Sequence, residues 1–412
     1  MVMIGFGSSR SPFLTIGNTL FLVLGGGSLL YYILFWCESK GKNNGKKKIK
    51  KKKGSAPLGL ENPGNLCYVN AVLQALASCA KSFIPWIREK SDTNSFCLAL
   101  NGLLNTVNRD ENEESAELAD LLSSLRSKGW VLDPREQDAH ELFNVFLTTL
   151  EEEGEEKIKK TRKRRNSLNE ALSFSNEEDV LSGIIARNAT ISNTNSSTVN
   201  SPVESLHPFS GTLANKLIKS SSDLVVPVSS NYFNNVTLSL PNSKSGRITL
   251  QTLLESFTSK EELDSGVVKQ TCFAKLPACI CFHIQRTAFT DGYPSKRSER
   301  VYFPQILDMT PFSYGSVRAK EHPLRGNRHT SMPPESTVGL GSPSAEFKSK
   351  SLYILKAVIQ HSGAINSGHY VTYRVNQTGR WFFTSDLFVE EVEFQNVLES
   401  NPYMLFYEKE SL

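Results

Sequence analysis

Cysteine is scarce: the chain has seven in 412 residues, an odd number spread too thinly for the disulfide framework of a small secreted domain. Apolar residues are sparse too, at 39%, and the 26 glycines lift the total only to the low end of the ~45–50% usual for globular chains. Part of the sequence therefore lies outside any packed core. No internal repeat is visible. A basic body is also lacking. The formal charge of +4 is misleading, because residues 1–53 hold nine lysines and Arg10 against Glu38, a net of +9. Subtraction leaves −5 from Gly54 onward, which argues against a general nucleic-acid-binding domain and against nucleic acid as a partner.

What is present begins with one uncharged run. Phe13 to Trp36 reads FLTIGNTLFLVLGGGSLLYYILFW, 24 residues without a charge. As a helix it spans roughly 36 Å, enough to cross a ~30 Å hydrocarbon layer with some tilt. A cleaved signal peptide has its basic stretch in front and a shorter apolar region. Here only Arg10 precedes the run, while Lys40, Lys42, Lys46–Lys48 and Lys50–Lys53 come after it. The sequence thus predicts a short tail over 1–12, a transmembrane signal-anchor over 13–36 that contacts membrane lipid, and a basic juxtamembrane linker over 37–56. The positive-inside rule places everything after the linker in the cytosol. Moderate apolarity, with Asn18 and Gly25–Gly27 inside the span, suits the mitochondrial outer membrane and is also compatible with the endoplasmic reticulum.

Helical periodicity comes early and strand patterning late. Val69, Val72, Leu73 and Leu76 form a helix face, and Leu118, Leu121, Leu122 and Leu125 repeat it. A third face, Ala139, Leu142, Phe143, Phe146, Leu147 and Leu150, comes after a start signal at Asp133-Pro134 and Glu136. Strands are expected over 278–285, 300–303, 352–360, 368–375, 380–385 and 402–408. Helices then strands make an α+β domain over 57–410. Two stretches, 151–203 and 314–350, are rich in charge or in Asn, Ser, Pro and Gly, and are expected as mobile inserts.

The chemistry concentrates in Gly59-Leu60-Glu61-Asn62-Pro63-Gly64-Asn65-Leu66-Cys67-Tyr68-Val69-Asn70. Asn65 is placed to cap the next helix, which leaves Cys67 in its first turn, where the helix dipole favours a thiolate. A lone cysteine is more often a small buried hydrophobe, so this position alone does not make it catalytic. A nucleophile also needs a base. His322 and His329 fall in the second insert and His207 comes just after the first, while His140 and His283 sit in apolar helix and strand patterns. His361 and His369 remain, bracketing a glycine-containing turn, and the next strand ends in Ser385-Asp386, with polar groups that can orient an imidazole.

GLENPGNLCYVNAVLQAL resembles the cysteine box of the ubiquitin-specific proteases, and HSGAINSGHYVTYR followed by WFFTSD resembles their histidine box. Arg135-Glu136-Gln137-Asp138-Ala139-His140-Glu141-Leu142-Phe143 is similar to a block between them. The resemblance covers roughly 57–150, 206–312 and 351–408. It implies a papain-like thumb and palm, with fingers that hold ubiquitin. It also implies thiol-dependent cleavage after ubiquitin's C-terminal glycine, without a cofactor, on ubiquitin and ubiquitin chains. By the same resemblance Cys67 is the nucleophile, His369 the base, Asn62 an oxyanion donor, and Gln137 and Asp138 contacts for the ubiquitin tail; His361 is structural.

Two departures stand out. Most members carry aspartate where this chain has Ser385, four residues after Trp381, with Asp386 next and matching a supporting role at the oxyanion. Serine there, the anchor, and VVKQTCFAKLPACICFHIQR together resemble a mitochondrial outer-membrane branch of the family. That likeness implies ubiquitinated outer-membrane proteins as substrates and opposition to ubiquitin-dependent removal of mitochondria. The second departure is in the fingers. The Cys-x-x-Cys pairs that bind zinc in many members are missing, so reduced fingers and no metal are expected, with Cys279 and Cys281 as strand core. A catalytically weak ubiquitin-binding scaffold is the competing expectation. A lumenal papain-like protease would need the opposite topology and sugar at Asn188, Asn195, Asn235 or Asn376.

Overall fold

The computed structural model describes residues 56–91, 95–110, 116–130, 137–173, 207–219, 229–242, 246–263, 267–290, 293–321, 350–365 and 367–410. The expected span 13–36, nearly all of the linker 37–56, the start signal at 133–136, and 174–203 and 322–349 of the inserts lie outside them. Among the described residues no helix is long and apolar enough to cross a membrane.

Helices lead: α1 (Cys67–Ala77), α2 (Phe83–Lys90), α3 (Ser95–Asn108), α4 (Leu118–Ser127) and α5 (Ala139–Ser173). Strands come next as β1 (Gly211–Lys219), β2 (Ser229–Phe233), β3 (Val236–Ser239) and β4 (Ile248–Thr249), then helix α6 (Leu250–Phe257). After it stand β5 (Lys260–Leu263), β6 (Val267–Lys275), β7 (Cys279–Gln285), β8 (Thr287–Thr290), β9 (Tyr293–Lys296), β10 (Val301–Tyr302), β11 (Ile306–Asp308) and helix α7 (Tyr314–Glu321). The chain closes with β12 (Leu352–Ala364), β13 (Ser367–Val375), β14 (Trp381–Ser385), β15 (Phe388–Val392), helix α8 (Phe394–Glu399) and β16 (Met404–Lys409).

The palm is a sheet in the order β15-β14-β13-β12-β16-β7-β3, with β11 also pairing to β12. Its strands β7 and β16 are buried on both faces because both faces are covered there. Cys279 and Cys281 on β7, and Met404 and Phe406 on β16, pack with the helices α1–α5. Their neighbours Ile280, Phe282, Leu405 and Tyr407 point the other way, into a second core with Leu250, Leu253 and Leu254 of α6. The fingers are a separate sheet, β2-β1-β6-β5.

The helical thumb is tied to the palm by polar groups as well as apolar burial. Glu408 on β16 is only 1% exposed, and its Oε1 accepts from the backbone N–H groups of Lys81 (3.0 Å) and Ser82 (2.7 Å) at the head of α2. Those are the donors a helix start leaves unsatisfied. Its Oε2 lies 3.4 Å from Lys356 Nζ.

Both expected inserts begin in helix. Helix α5 does not stop near 150 but continues to Ser173, through the first 23 residues of the stretch expected to be mobile. The stretch is rich in strong helix formers, which favour extending an already nucleated helix. The second expected insert likewise begins as helix α7, where Val317 N–H bonds the Ser313 carbonyl at 3.0 Å.

Candidate active site

Cys67 opens α1, 4% exposed, at the helix's positive end. Asn65 does not cap it, which corrects the sequence expectation. Asn65 has a left-handed backbone (φ 47°), and Leu66 is the capping residue, without a side-chain bond. The loop is organised by Asn62 instead. Its Oδ1 accepts from the N–H groups of Gly64 (3.2 Å) and Leu66 (2.9 Å), leaving its Nδ2 to face outward from the turn.

Helix α1 lies along β13. Thr372 Oγ1 donates to the Ala71 carbonyl at 3.0 Å, and Arg374 Nη1 donates to Gln74 Oε1 at 3.0 Å. Helix and strand run in the same direction through these contacts. These contacts lay the helix that opens on Cys67 against the strand that carries His369. His369 belongs to the β12–β13 hairpin, opposite Ser362.

The third residue comes from β14. Ser385 Oγ is 2.7 Å from His369 Nε2. Asp386 is next in sequence but turns elsewhere. It begins the two-residue turn between β14 and β15, with φ 50°, a left-handed conformation that aspartate tolerates. Its carboxylate accepts from Asn62 Nδ2 (2.9 Å) and Asn70 Nδ2 (2.7 Å), and its carbonyl accepts from Leu60 N–H (3.0 Å). Ser385 and Asp386 thus serve two different partners, the imidazole and the cysteine loop.

Asp138 and Gln137 are half-buried at the start of α5. Asp138 caps that helix: Oδ1 accepts from His140 N–H (2.7 Å) and Glu141 N–H (3.2 Å). Its Oδ2 accepts from the Tyr403 hydroxyl at 2.5 Å. Burial, and then the Asp138 charge, push the Tyr403 phenol well above its ordinary value, so it stays a donor. Beside it His140 stacks on His283, 3.9 Å between ring centroids and 11° between planes. Burial first, and His140 second, lower the His283 pKa to about 3.

Asn70 and Gln74 escaped the sequence reading. Both are buried on α1, where Asn70 holds Asp386 and the Glu61 carbonyl (3.2 Å), and Gln74 holds the Leu58 carbonyl (2.7 Å) and Arg374. The signal was available as two amides four residues apart in an otherwise apolar helix, which must find partners when buried. Cys272, Cys279 and Cys281 are buried strand residues, and burial raises the thiols of the last two. Among the described residues no group of three or more His, Cys, Asp or Glu is gathered so as to hold a metal ion.

Residues 58–407 match the family described as ubiquitin carboxyl-terminal hydrolase. The chain belongs to that family. It is 30% identical over 440 residues to ubiquitin carboxyl-terminal hydrolase 30 of Xenopus tropicalis, covering 87% of this chain and 82% of that one. Against the Homo sapiens protein of the same name identity is 28%, over 87% and 85%. The chain is accordingly a cysteine-type deubiquitinase, with the papain-like fold of the ubiquitin-specific proteases. Two solved structures of the SAGA Ubp8/Sgf11/Sus1/Sgf73 DUB module share that fold at a TM-score of 0.57. One, bound to monoubiquitin, is 17% identical over 93% of this chain and 76% of that one. The other, bound to ubiquitin aldehyde, is 18% identical over 93% and 75%.

Proposed function

We propose that this chain is a membrane-anchored thiol protease that hydrolyses isopeptide bonds after the C-terminal glycine of ubiquitin on mitochondrial outer-membrane proteins. It works from the cytosolic face and opposes mitophagy. The observation that supports the catalytic part is on β13: Ser385 Oγ lies 2.7 Å from His369 Nε2, and the helix that opens on Cys67 packs against the same strand.

In this reading Ser385 Oγ accepts a hydrogen bond from His369 Nε2–H and fixes the tautomer, so that Nδ1 is the nitrogen that takes the Cys67 proton. The thiolate attacks the glycine carbonyl carbon. Asn62, held by Asp386, donates its remaining amide hydrogen to the oxyanion, a contribution typically worth ~2.7–4 kcal/mol. The imidazolium then gives its proton to the departing lysine amine, leaving a thioester. Water, deprotonated by His369, releases ubiquitin and regenerates the thiol. These steps need only side chains and water. Gln137 and Asp138 line the approach of the ubiquitin tail, with Asp138 already oriented by its cap and by Tyr403.

The membrane part is supported by the uncharged run 13–36 with nine lysines after it, and by similarity that extends over 87% of the chain to ubiquitin carboxyl-terminal hydrolase 30. The test is reaction of the detergent-solubilised full chain with ubiquitin bearing a C-terminal electrophile. One adduct is expected, at Cys67, lost in Cys67→Ala. An adduct mapped to another cysteine overturns the Cys67 assignment, and ubiquitin binding with no adduct overturns the reading in favour of a non-catalytic scaffold.

A further inference from the structure

The hairpin that carries His369 is gripped from outside by a side chain with no part in the thiol chemistry. Lys296 ends β9, the second strand of a hairpin whose tip residue Tyr293 is 77% exposed. Its Nζ lies 2.7 Å from the Gly363 carbonyl, 3.2 Å from the His361 carbonyl and 3.1 Å from His361 Nδ1. An ammonium has three N–H donors and no lone pair, so His361 Nδ1 must accept.

These contacts sit directly across the hairpin from the catalytic histidine. Gly363 pairs with Gly368, and Ser362 with His369. The His361 ring stacks on Tyr370, 4.3 Å between centroids and 16° between planes. On the other side, its Nε2 fills the space a Cβ at Gly368 would need. His361 therefore presses on both chain neighbours of His369, and Lys296 sets where His361 lies. Residues 362–364 of the hairpin are exposed, so burial does little to fix that end. Isolated two-stranded hairpins are marginal in water, and a charged donor holding two carbonyls and a ring is a strong restraint on one.

We propose that Lys296 is a positioning residue for catalysis: by clamping His361 and Gly363 it holds the main chain of His369 where the ring meets both Cys67 and Ser385. The proposal rests on the reading of Cys67 and His369 as the reacting pair. It assigns Lys296 no contact with substrate.

The test uses the full chain with Lys296→Met, which keeps the stem and removes the donors, Lys296→Gln, and Lys296→Arg, which keeps charge and several donors. Two readouts are needed: kcat and KM on a ubiquitin C-terminal amide, and the pH profile of Cys67 alkylation by chloroacetamide, which needs no ubiquitin site. Lys296→Met is expected to lower kcat about 10-fold or more with KM changed less than about 3-fold, and to slow alkylation near neutral pH in parallel. Lys296→Arg should recover most of both. Lys296→Gln must show the same kcat-specific loss, which keeps the test valid if the Met variant folds poorly. Wild-type kcat in folded Met and Gln variants overturns the proposal. So does a rise in KM at unchanged kcat, which would make Lys296 a substrate contact. Alkylation or probe adducts at another cysteine in the unsubstituted chain sink the Cys67 reading instead, and that outcome is distinct.

Discussion

At the scale of single residues, the division of labour between Ser385 and Asp386 is the most informative feature. Ser385 ends the strand while Asp386 turns away in a left-handed conformation, so one goes to the imidazole and the other to the cysteine loop. A serine fixes a tautomer but cannot stabilise an imidazolium with charge, as a carboxylate does. Ser385→Ala should therefore lower kcat/KM about 10–100-fold, about 1.4–2.7 kcal/mol, and shift the pH profile of probe labelling. Asp386→Ala should lower turnover by a different route. It frees the Asn62 amide and leaves the buried Asn70 without its shortest contact, 2.7 Å, while the pH profile stays in place. Kinetics and labelling across pH on both variants check this. A silent Ser385→Ala together with an Asp386→Ala that moves the profile would make Asp386 the orienting residue.

At the scale of elements, the junction of α5 with the palm carries a pH dependence. His283 on β7 has its pKa depressed to about 3, by burial and by the ring of His140 stacked on it. Above the unfolded value of about 6.5 both states are neutral, and this group contributes no pH dependence. Below it the unfolded chain binds a proton that the folded chain refuses, so stability falls as pH drops from about 6.5 toward about 3. The slope approaches about 1.4 kcal/mol per pH unit in that window. Denaturant unfolding at pH 7, 6 and 5 should show the fall, and His283→Gln should flatten it. An unchanged slope in that variant would assign the acid sensitivity to other groups.

How much of each element was legible in the sequence depends on its apolar pattern. Strands β7, β12, β13, β14 and β16 overlap their expected ranges because each carries a run of apolar and aromatic residues that the sheet buries. Strand β5, Lys260–Leu263, is exposed throughout and its residues have no period to read, and the exposed stretch of β2 hides equally well. The charged half of α5 hides in the sequence because it carries no apolar face to set a helical period. At the site, Cys67, His369 and Ser385 were legible as motif residues. Asn70, Gln74 and Lys296 were not, since their importance comes from partners as distant in sequence as Asp386, Arg374 and His361.

At the scale of the whole molecule, the charge distribution makes a prediction about topology. Nine lysines come after the uncharged run 13–36, and the chain from Gly54 onward nets −5, so if that run is the anchor proposed above, the positive flank lies between it and the catalytic domain. The positive-inside rule keeps such a flank, and the domain C-terminal to it, on the cytosolic side. Protease added to intact organelles should then digest the catalytic domain. Neutral residues at Lys40–Lys53 should weaken targeting or orientation. Asn235 gives an independent readout. Its Nδ2 donates to Asn144 Oδ1 at 2.5 Å, and its Oδ1 lies 2.8 Å from His140 Nε2, so in the folded domain this sequon's amide is already engaged between β3 and α5. A sugar there could be added only to a chain entering the lumen before folding, and it would break both contacts. The cytosolic assignment therefore expects no glycosidase-sensitive mass at Asn235. Protection from external protease together with sugar on Asn235 would reverse the orientation, and with it the access of the Cys67 thiol to ubiquitin on the cytosolic surface.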